Sequence, residues 1–335
     1  MKKPKPGFVM LPHVDLPHTL EVAINDYHAW GDDYFRKIER RSRIVAPLYH
    51  YTDMRGLEGI LKNQEIWFTD YRHLNDKTEL MHGIDLAKTL LAPRMATGGY
   101  HSMLFGWIDD LLTKRNFGRV FDFFIASFSR NGDDLGQWRA YADDGRGVAI
   151  AFSHDVFAPT EEQSKDPRKN TFTGPVVYKD AHTRARHLKG IDKATSILDA
   201  ALIYARHHLR NKTIGMEFLN RLARSVIAVP LIWNAITCKH PAYKHESEVR
   251  LVIVAEKKRL RGKVSTRTRN GMVVRYIPHH LQLRDHGKVV SIVIGPAAPN
   301  NAEVNVRRII KAAGLNYNVR IRRSRVPYRS FRNAA

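Results

Sequence analysis

Cysteine is almost missing from this chain: Cys238 is the single one among 335 residues. An internal disulfide is excluded, thiol catalysis has no evident histidine partner, and a reducing compartment fits best. Long apolar runs are missing too. Nothing approaches the roughly 18 consecutive apolar residues of a spanning helix. The basic start MKKPKPGFVMLPHVDLPHTL is broken by Pro4, Pro6, Pro12 and Pro17 and lacks the apolar core of a secretion signal. The chain therefore reads as soluble and cytoplasmic, without a membrane partner. No G-x-x-x-x-G-K-[ST] phosphate loop, no G-x-G-x-x-G and no H-E-x-x-H is present. The 17 histidines include Cys238-Lys239-His240, His207-His208 and His279-His280. Adjacent side chains rarely ligate one ion together, so no metal is expected.

Acidic residues are scarce as well, 33 Asp and Glu against 55 Lys and Arg, for a formal charge of +22. The imbalance is concentrated in residues 256–335, where 19 Lys and Arg face Glu256, Asp285 and Glu303, a surplus of 16. Such a segment attracts polyanions through counterion release, and nucleic acid is the commonest polyanion in a cell. Arg322, Arg323 and Arg325 in the tail RRSRVPYRS are the candidate nucleic-acid contacts. A solubilising basic face or an acidic protein partner would give the same composition.

Ordinary apolar content and this length allow a proper core. Residues 1–47 read as an extension ending in a helix around Asn25–Arg41. Strands are predicted at Leu48–Tyr51, Ile66–Thr69, Phe121–Ser129, Val148–Phe152, Val249–Val254, Val289–Ile294 and near Tyr317–Ile321. Between the first two, Thr52 or Asp53 caps a short helix that stops at Asn63. Asp76-Lys77-Thr78-Glu79 fits a capping box before a helix. A short helix carries Trp138, two helices fill an insertion near 190–229, and another spans Asn301–Ala313. Residues 48–330 are taken as one domain with a basic C-terminal segment from 256 to 335. Strands and helices mix without strict alternation, which points to an α+β fold.

Several short motifs stand in a fixed order: LYHYT, GLEGIL, IWFT, LNDKTE, SFS, QWRAYADDGRGVAIAF, YKHESEVRLV, IGP and SRVPYR. In this order the chain resembles a bacterial family catalogued as domain of unknown function 2971, over roughly Leu48–Arg329. More distantly it is similar to the ADP-ribosyltransferase superfamily. That likeness implies split, twisted, mostly antiparallel sheets with flanking helices and a helical insertion, around a cleft for NAD as the substrate. It assigns His50 and Thr52 to the nicotinamide ribose, Ser127 and Ser129 to the pocket, and Glu246 or Glu248 as the carboxylate.

A carboxylate beside the ribose would stabilise the oxocarbenium character that develops as the glycosidic bond breaks. Glu248 and Glu246, two residues apart, are expected on one strand face. Trp67, Tyr71 and Trp138 are candidate stacking partners for nicotinamide or an acceptor base, with Tyr71 assigned to the cofactor-binding set. Arg250 would pair with a pyrophosphate or with Glu248. By superfamily analogy the role is that of a toxin or antiphage effector modifying nucleic acid; a non-catalytic nucleic-acid-binding protein on a degenerate version of the fold is the alternative.

Each residue has a plainer explanation beside this one. His50 reads equally as a hydrogen-bonded structural residue, Asn75, Asp76 and Glu79 as caps, and both serines as backbone partners. Glu246, Glu248 and Arg250 would equally form a charged ladder, and Trp138 and Tyr141 a piece of core.

Overall fold

The computed structural model describes residues 14–41, 47–73, 79–113, 121–157, 171–256, 260–269 and 271–330. It is α+β, with a mixed, mostly antiparallel open sheet and helices, and it divides into two compact units. No helix among the described residues is long and apolar enough to cross a membrane.

The first unit comprises residues 1–41, 76–121 and 177–241 and is helical. It holds α1 (His18–Arg41), α3 (Glu79–Met95), α4 (Gly99–Leu111), α6 (Asp180–Tyr204), α7 (Arg206–Leu209), α8 (Lys212–Val226) and α9 (Ile232–Ile236). Helix α1 begins seven residues before the expected Asn25, directly behind Pro17, whose carbonyl receives Leu20 N–H at 2.9 Å. It is tied down by Tyr27, whose hydroxyl donates to the Gly190 carbonyl at 3.2 Å, and by Tyr34, which donates to Asn234 Oδ1 at 3.1 Å. The expected extension and the expected insertion thus meet in one helical body. Close approach of α3 and α9 explains Gly83, where a Cβ would lie 2.5 Å from Ala235 Cα. The expected capping box falls partly on 74–78, outside the described residues.

The second unit, residues 42–75, 122–176 and 242–335, carries the sheet. Its strands are β1 (Leu48–Thr52), β2 (Glu65–Asp70), β3 (Phe121–Ser129), β4 (Val148–Phe152), β5 (Thr171–Pro175), β6 (Glu248–Glu256), β7 (Ser265–Arg269), β8 (Met272–His280), β9 (Val289–Ile294) and β10 (Arg320–Arg323). Their order is β10-β9-β4-β1-β3-β2-β8-β7, with β6 joining β3 to β5. The sheet branches at β3, which meets β1 at Tyr49–Ser129, β2 at Thr69–Ile125, and also β6. All the pairings with a stated register are antiparallel except β10 on β9.

Two short helices pack on the sheet. Helix α2 (Met54–Asn63) starts at Asp53, whose carboxylate accepts Gly56 N–H at 2.6 Å, and stops after Asn63 because Gln64 turns left-handed at φ 54°. Helix α10 (Ala302–Ala312) buries Val306 and Ile309. Both enter the main core with Leu48, Phe68, Phe124, Phe128, Ile150, Leu251, Ile277 and Ile292. Facing the opposite way is a smaller cluster of Tyr51, Ala149 and Val293 with Ala142 and with Trp138 of the short helix α5 (Leu135–Tyr141). Each strand sends alternate residues to the two sides, so cluster membership identifies the face of every neighbour.

The last strand begins three residues later than expected. Tyr317 is not part of it: its hydroxyl donates to Leu283 O at 2.7 Å and accepts Val289 N–H at 3.0 Å, pinning the chain before β10.

Candidate functional site

Strands β1, β3 and β6 gather most of the residues singled out from the sequence. Phe124, Ala126 and Phe128 of β3 and Val249, Leu251 and Ile253 of β6 all face the main core. Alternation therefore turns Ser127, Ser129, Glu248 and Arg250 to the opposite side, where Tyr49 stands in register with Ser129. His50 and Thr52 face the main core with Leu48: His50 opposes Ile150, and its ring lies 5.5 Å from that of Phe128. The structure thus brings the two serines and Glu248 together and places the His50 side chain on the other face.

His50 is half-buried, and its Nδ1–H donates to the Ser127 carbonyl at 3.1 Å. Burial holds its pKa below the usual histidine value against the opposing pull of that hydrogen bond. Thr52 is wedged between two glycines: a Cβ on Gly56 would lie 1.9 Å from its Oγ1, and one on Gly147 2.2 Å from its carbonyl oxygen. Close packing at the start of α2 accounts for both glycines.

Glu246 and Glu248 do not share a strand face. Glu246 ends a 3-10 turn, Pro241–Glu246, and Ser247 adopts a left-handed φ of 46° before β6 begins at Glu248. That kink breaks the alternation on which the expectation rested. Ser129 is buried; its hydroxyl donates to the Glu246 carbonyl at 2.7 Å and accepts Asn131 N–H at 3.0 Å. Arg130 N–H donates to the Ser247 carbonyl at 3.0 Å. Tyr141 points its hydroxyl at Glu246 Oε1, 3.5 Å away.

Glu248 is held by its strand neighbour. Arg250 donates Nε–H to Glu248 Oε1 at 2.8 Å and Nη2–H to Oε2 at 3.0 Å, and both side chains are buried. A bidentate fork of this kind fixes the carboxylate's plane. On its other edge β6 pairs antiparallel with β5, where Gly174 opposes Arg250.

Trp138 is fully buried in the smaller cluster, 4.8 Å from the Tyr51 ring, with Nε1–H donating to Asp133 Oδ1 at 2.8 Å. Its position is that of core, not of a stacking platform. Tyr71 follows β2 and packs edge-on against Phe123 at 5.5 Å, with the Arg72 guanidinium 5.7 Å from its ring centre. Beside it lies an ion network that no motif announced: the buried carboxylates Asp70 and Asp122, both bridged by Arg72 and Arg275. Arg275 spans them with Nη1–H to Asp70 Oδ2 at 3.0 Å and Nη2–H to Asp122 Oδ2 at 2.6 Å.

The tail arginines are largely committed to the fold. Arg322 and Arg323 lie in β10, paired with Val293 and Ile294. Arg323 donates to the carbonyls of Ala298, Pro299 and Asn300 at 2.9–3.3 Å, and Arg322 lies 3.6 Å from Asp133. Arg325 is exposed, while its backbone N–H donates to Asp133 Oδ2 at 2.9 Å.

Asp133 and Asp144 were the residues most undervalued in the sequence. Besides Trp138 and Arg325, Asp133 accepts the Ser324 hydroxyl. These donors hold its pKa below the carboxylate norm, although burial pushes the other way. Asp144 accepts Tyr328 O–H at 2.8 Å and Ser330 O–H at 2.6 Å. It sits in a run of three left-handed residues, Asp143, Asp144 and Gly145. Gly145 and Gly147 carbonyls then receive the N–H groups of Ala297 and Gly295, each at 2.9 Å. The signs were present as D-D-G-R-G, I-G-P and S-x-x-P-Y-R, but only folding shows that they form one knot.

Residues 137–251 match the model of a family described as Protein of unknown function (DUF2971). No curated protein and no solved structure matches the chain. The matched segment contains the Trp138–Phe152 turn and strand, the helices α6 to α9 and the Ser247 kink that precedes β6. Over residues 137–251, then, this chain is similar to the DUF2971 family.

Proposed function

We propose that the chain is an ADP-ribosyltransferase-like protein that takes NAD as substrate and modifies nucleic acid. One observation carries this reading: Glu248 opens β6 on the same face as Ser127 and Ser129 of the adjoining strand, oriented by Arg250. The branching of the sheet at β3 suits the split-sheet architecture of that superfamily.

In the reaction the bond between ribose C1′ and the nicotinamide nitrogen breaks, and nicotinamide leaves neutral with the electron pair. A nucleophilic atom of the acceptor bonds to C1′ and gives up its proton. Glu248 would stabilise the positive charge on the ribose between these events. The reading differs from the sequence expectation in one respect: His50 supports the strand from its core face, so the ribose contact passes to the Ser127 and Tyr49 side. A toxin or antiphage role follows by superfamily analogy alone.

A second reading rests on the same pair. Glu248 and Arg250 are both buried, as in a structural ion pair, and the chain is then a non-catalytic nucleic-acid-binding protein on a degenerate version of the fold. Incubation of the full chain with labelled NAD and mixed DNA and RNA separates the two. Label transfer and nicotinamide release that vanish in Glu248→Gln, with its circular dichroism spectrum at the assay temperature retained, support the enzyme. Absence of both products under every condition rejects it in favour of the second reading.

A further inference from the structure

At the far end of the sheet, strands β2, β8 and β7 carry a second surface that the tail arginines do not share. Register pairs Thr69 with Tyr276, Trp67 with Pro278, Ser265 with Tyr276 and Arg267 with Val274. Trp67, Thr69, Tyr276 and Arg267 consequently stand on one face, opposite to Phe68 and Ile277 of the main core. Trp67 and Tyr276 are diagonal neighbours whose rings stack at 4.3 Å and 29°. The Arg267 guanidinium lies 4.9 Å from the Trp67 ring and 5.8 Å from Tyr276. Trp67 keeps 37 % of its surface exposed, and Met272, which pairs with Arg269 on the same face, keeps 58 %.

Arg267 is in an unsettled position for a cation. Its Nε is shut off from solvent and has no hydrogen-bond partner, and its Nη2 reaches Thr69 Oγ1 only at 3.4 Å. Burial first, and the like charge of Arg269 second, press its pKa below the arginine norm. An anion beside the guanidinium offsets the like charge of Arg269. Strands β7 and β8 also lie inside the segment 256–335, which has a surplus of 16 positive charges.

We infer that the face built by Trp67, Tyr276, Arg267 and Arg269 binds single-stranded nucleic acid, with unpaired bases on the rings and backbone phosphate on the arginines. Aromatic rings and a guanidinium plane together take bases of any sequence, provided the bases are unstacked. A duplex hides those base faces and offers phosphate alone, so the surface favours single strands. This inference deepens the nucleic-acid half of the reading above and places the acceptor on β2–β8–β7, away from Arg322, Arg323 and Arg325.

The test is fluorescence anisotropy of the full chain with labelled oligo(dT) and oligo(U) of about 12 nucleotides, within the usual site size, beside a duplex of equal length. No NAD is present, so the outcome is independent of whether the chain is a transferase. Single strands are expected to bind more tightly than duplex, and Trp67→Ala to weaken them about tenfold, with Trp67→Phe close to wild type. Arg269→Glu, at an exposed position, is expected to weaken binding of single strands and to flatten the salt dependence by about one unit of log–log slope or more. The DNA and RNA arms report which sugar the face prefers. Wild-type affinity in both Trp67→Ala and Arg269→Glu, or tighter binding of duplex than of either single strand, overturns the inference.

Discussion

The phenol of Tyr328 donates to the carboxylate of Asp144 at 2.8 Å, across 184 residues of chain. Asp144 reaches this bond from a left-handed backbone that an ordinary residue avoids, and Ser330 adds a second hydroxyl to the same carboxylate. The C-terminal stretch is thereby anchored over the turn that leads into β4. Hydrogen bonds to a charged group are worth more than neutral ones, so Tyr328→Phe is expected to lower stability by about 2 kcal/mol. Urea unfolding of the two proteins checks this, and an unchanged midpoint would show that the tail does not hold the turn.

Arg250 grips Glu248 within a buried environment, and removal of one member of such a pair exposes the cost of burying the other. Arg250→Leu is expected to destabilise the chain by roughly 3–5 kcal/mol. Glu248→Gln preserves shape and a hydrogen-bonding group and is expected to cost less. Thermal melts of both variants rank them; equal losses would mean that the fork is not what matters at this position.

His187, in α6, is wholly buried, and its Nε2–H donates to the Gly83 carbonyl at 3.1 Å, leaving Nδ1 without a partner. Burial, aided by the nearby Arg186 and Arg184 charges, pushes its pKa from 6.5 down to about 3. The unfolded chain thus takes up a proton below pH 6.5 that the folded chain refuses until about pH 3. Stability from this residue is complete above pH 6.5 and is lost as the pH falls through that window, at up to about 1.4 kcal/mol per pH unit. Comparison of wild type and His187→Gln in urea at pH 7 and pH 5 isolates the effect. The wild type should lose more; parallel losses would assign the acid sensitivity to other groups.

Gly147 leaves no room for a side chain, since a Cβ would meet the Thr52 carbonyl at 2.2 Å and the Ala142 carbonyl at 3.0 Å. Both obstacles are backbone, which cannot rotate aside. Gly147→Ala is expected to cost about 1–3 kcal/mol through overpacking. The loss should appear in the denaturation midpoint, whereas Gly59→Ala, with nothing within 4 Å, should leave it unchanged or raise it.

Much of the architecture was legible because its strands are apolar and β-branched. Phe121–Ser129, Val148–Phe152 and Val289–Ile294 lie where the pattern places them. The edge strand Ser265–Arg269 and the short Thr171–Pro175 escaped notice, since STRTR and TFTGP hold few apolar side chains and depend on their neighbours for pairing. Helix α4 was missed as well, because Gly99–Leu111 starts between glycines and without a capping side chain.

The candidate site divides along the same line. Residue types at short range were readable: Asp53 as a cap and Ser129 as a backbone partner follow from their immediate neighbours. By itself the sequence determined the α+β class, the helix that links the first two strands, the concentration of positive charge and the likeness to the DUF2971 family over residues 137–251. Tertiary structure decided which side chains meet. It set His50 against Phe128 and Ser129 beside Glu246, it kinked the chain at Ser247 so that Glu246 and Glu248 part, and it tied Asp133 and Asp144 to a tail almost 200 residues away. The physical reason is the period of two: a one-residue choice of register sends every side chain of a strand to the other face, and register is fixed by partners that lie far off in sequence.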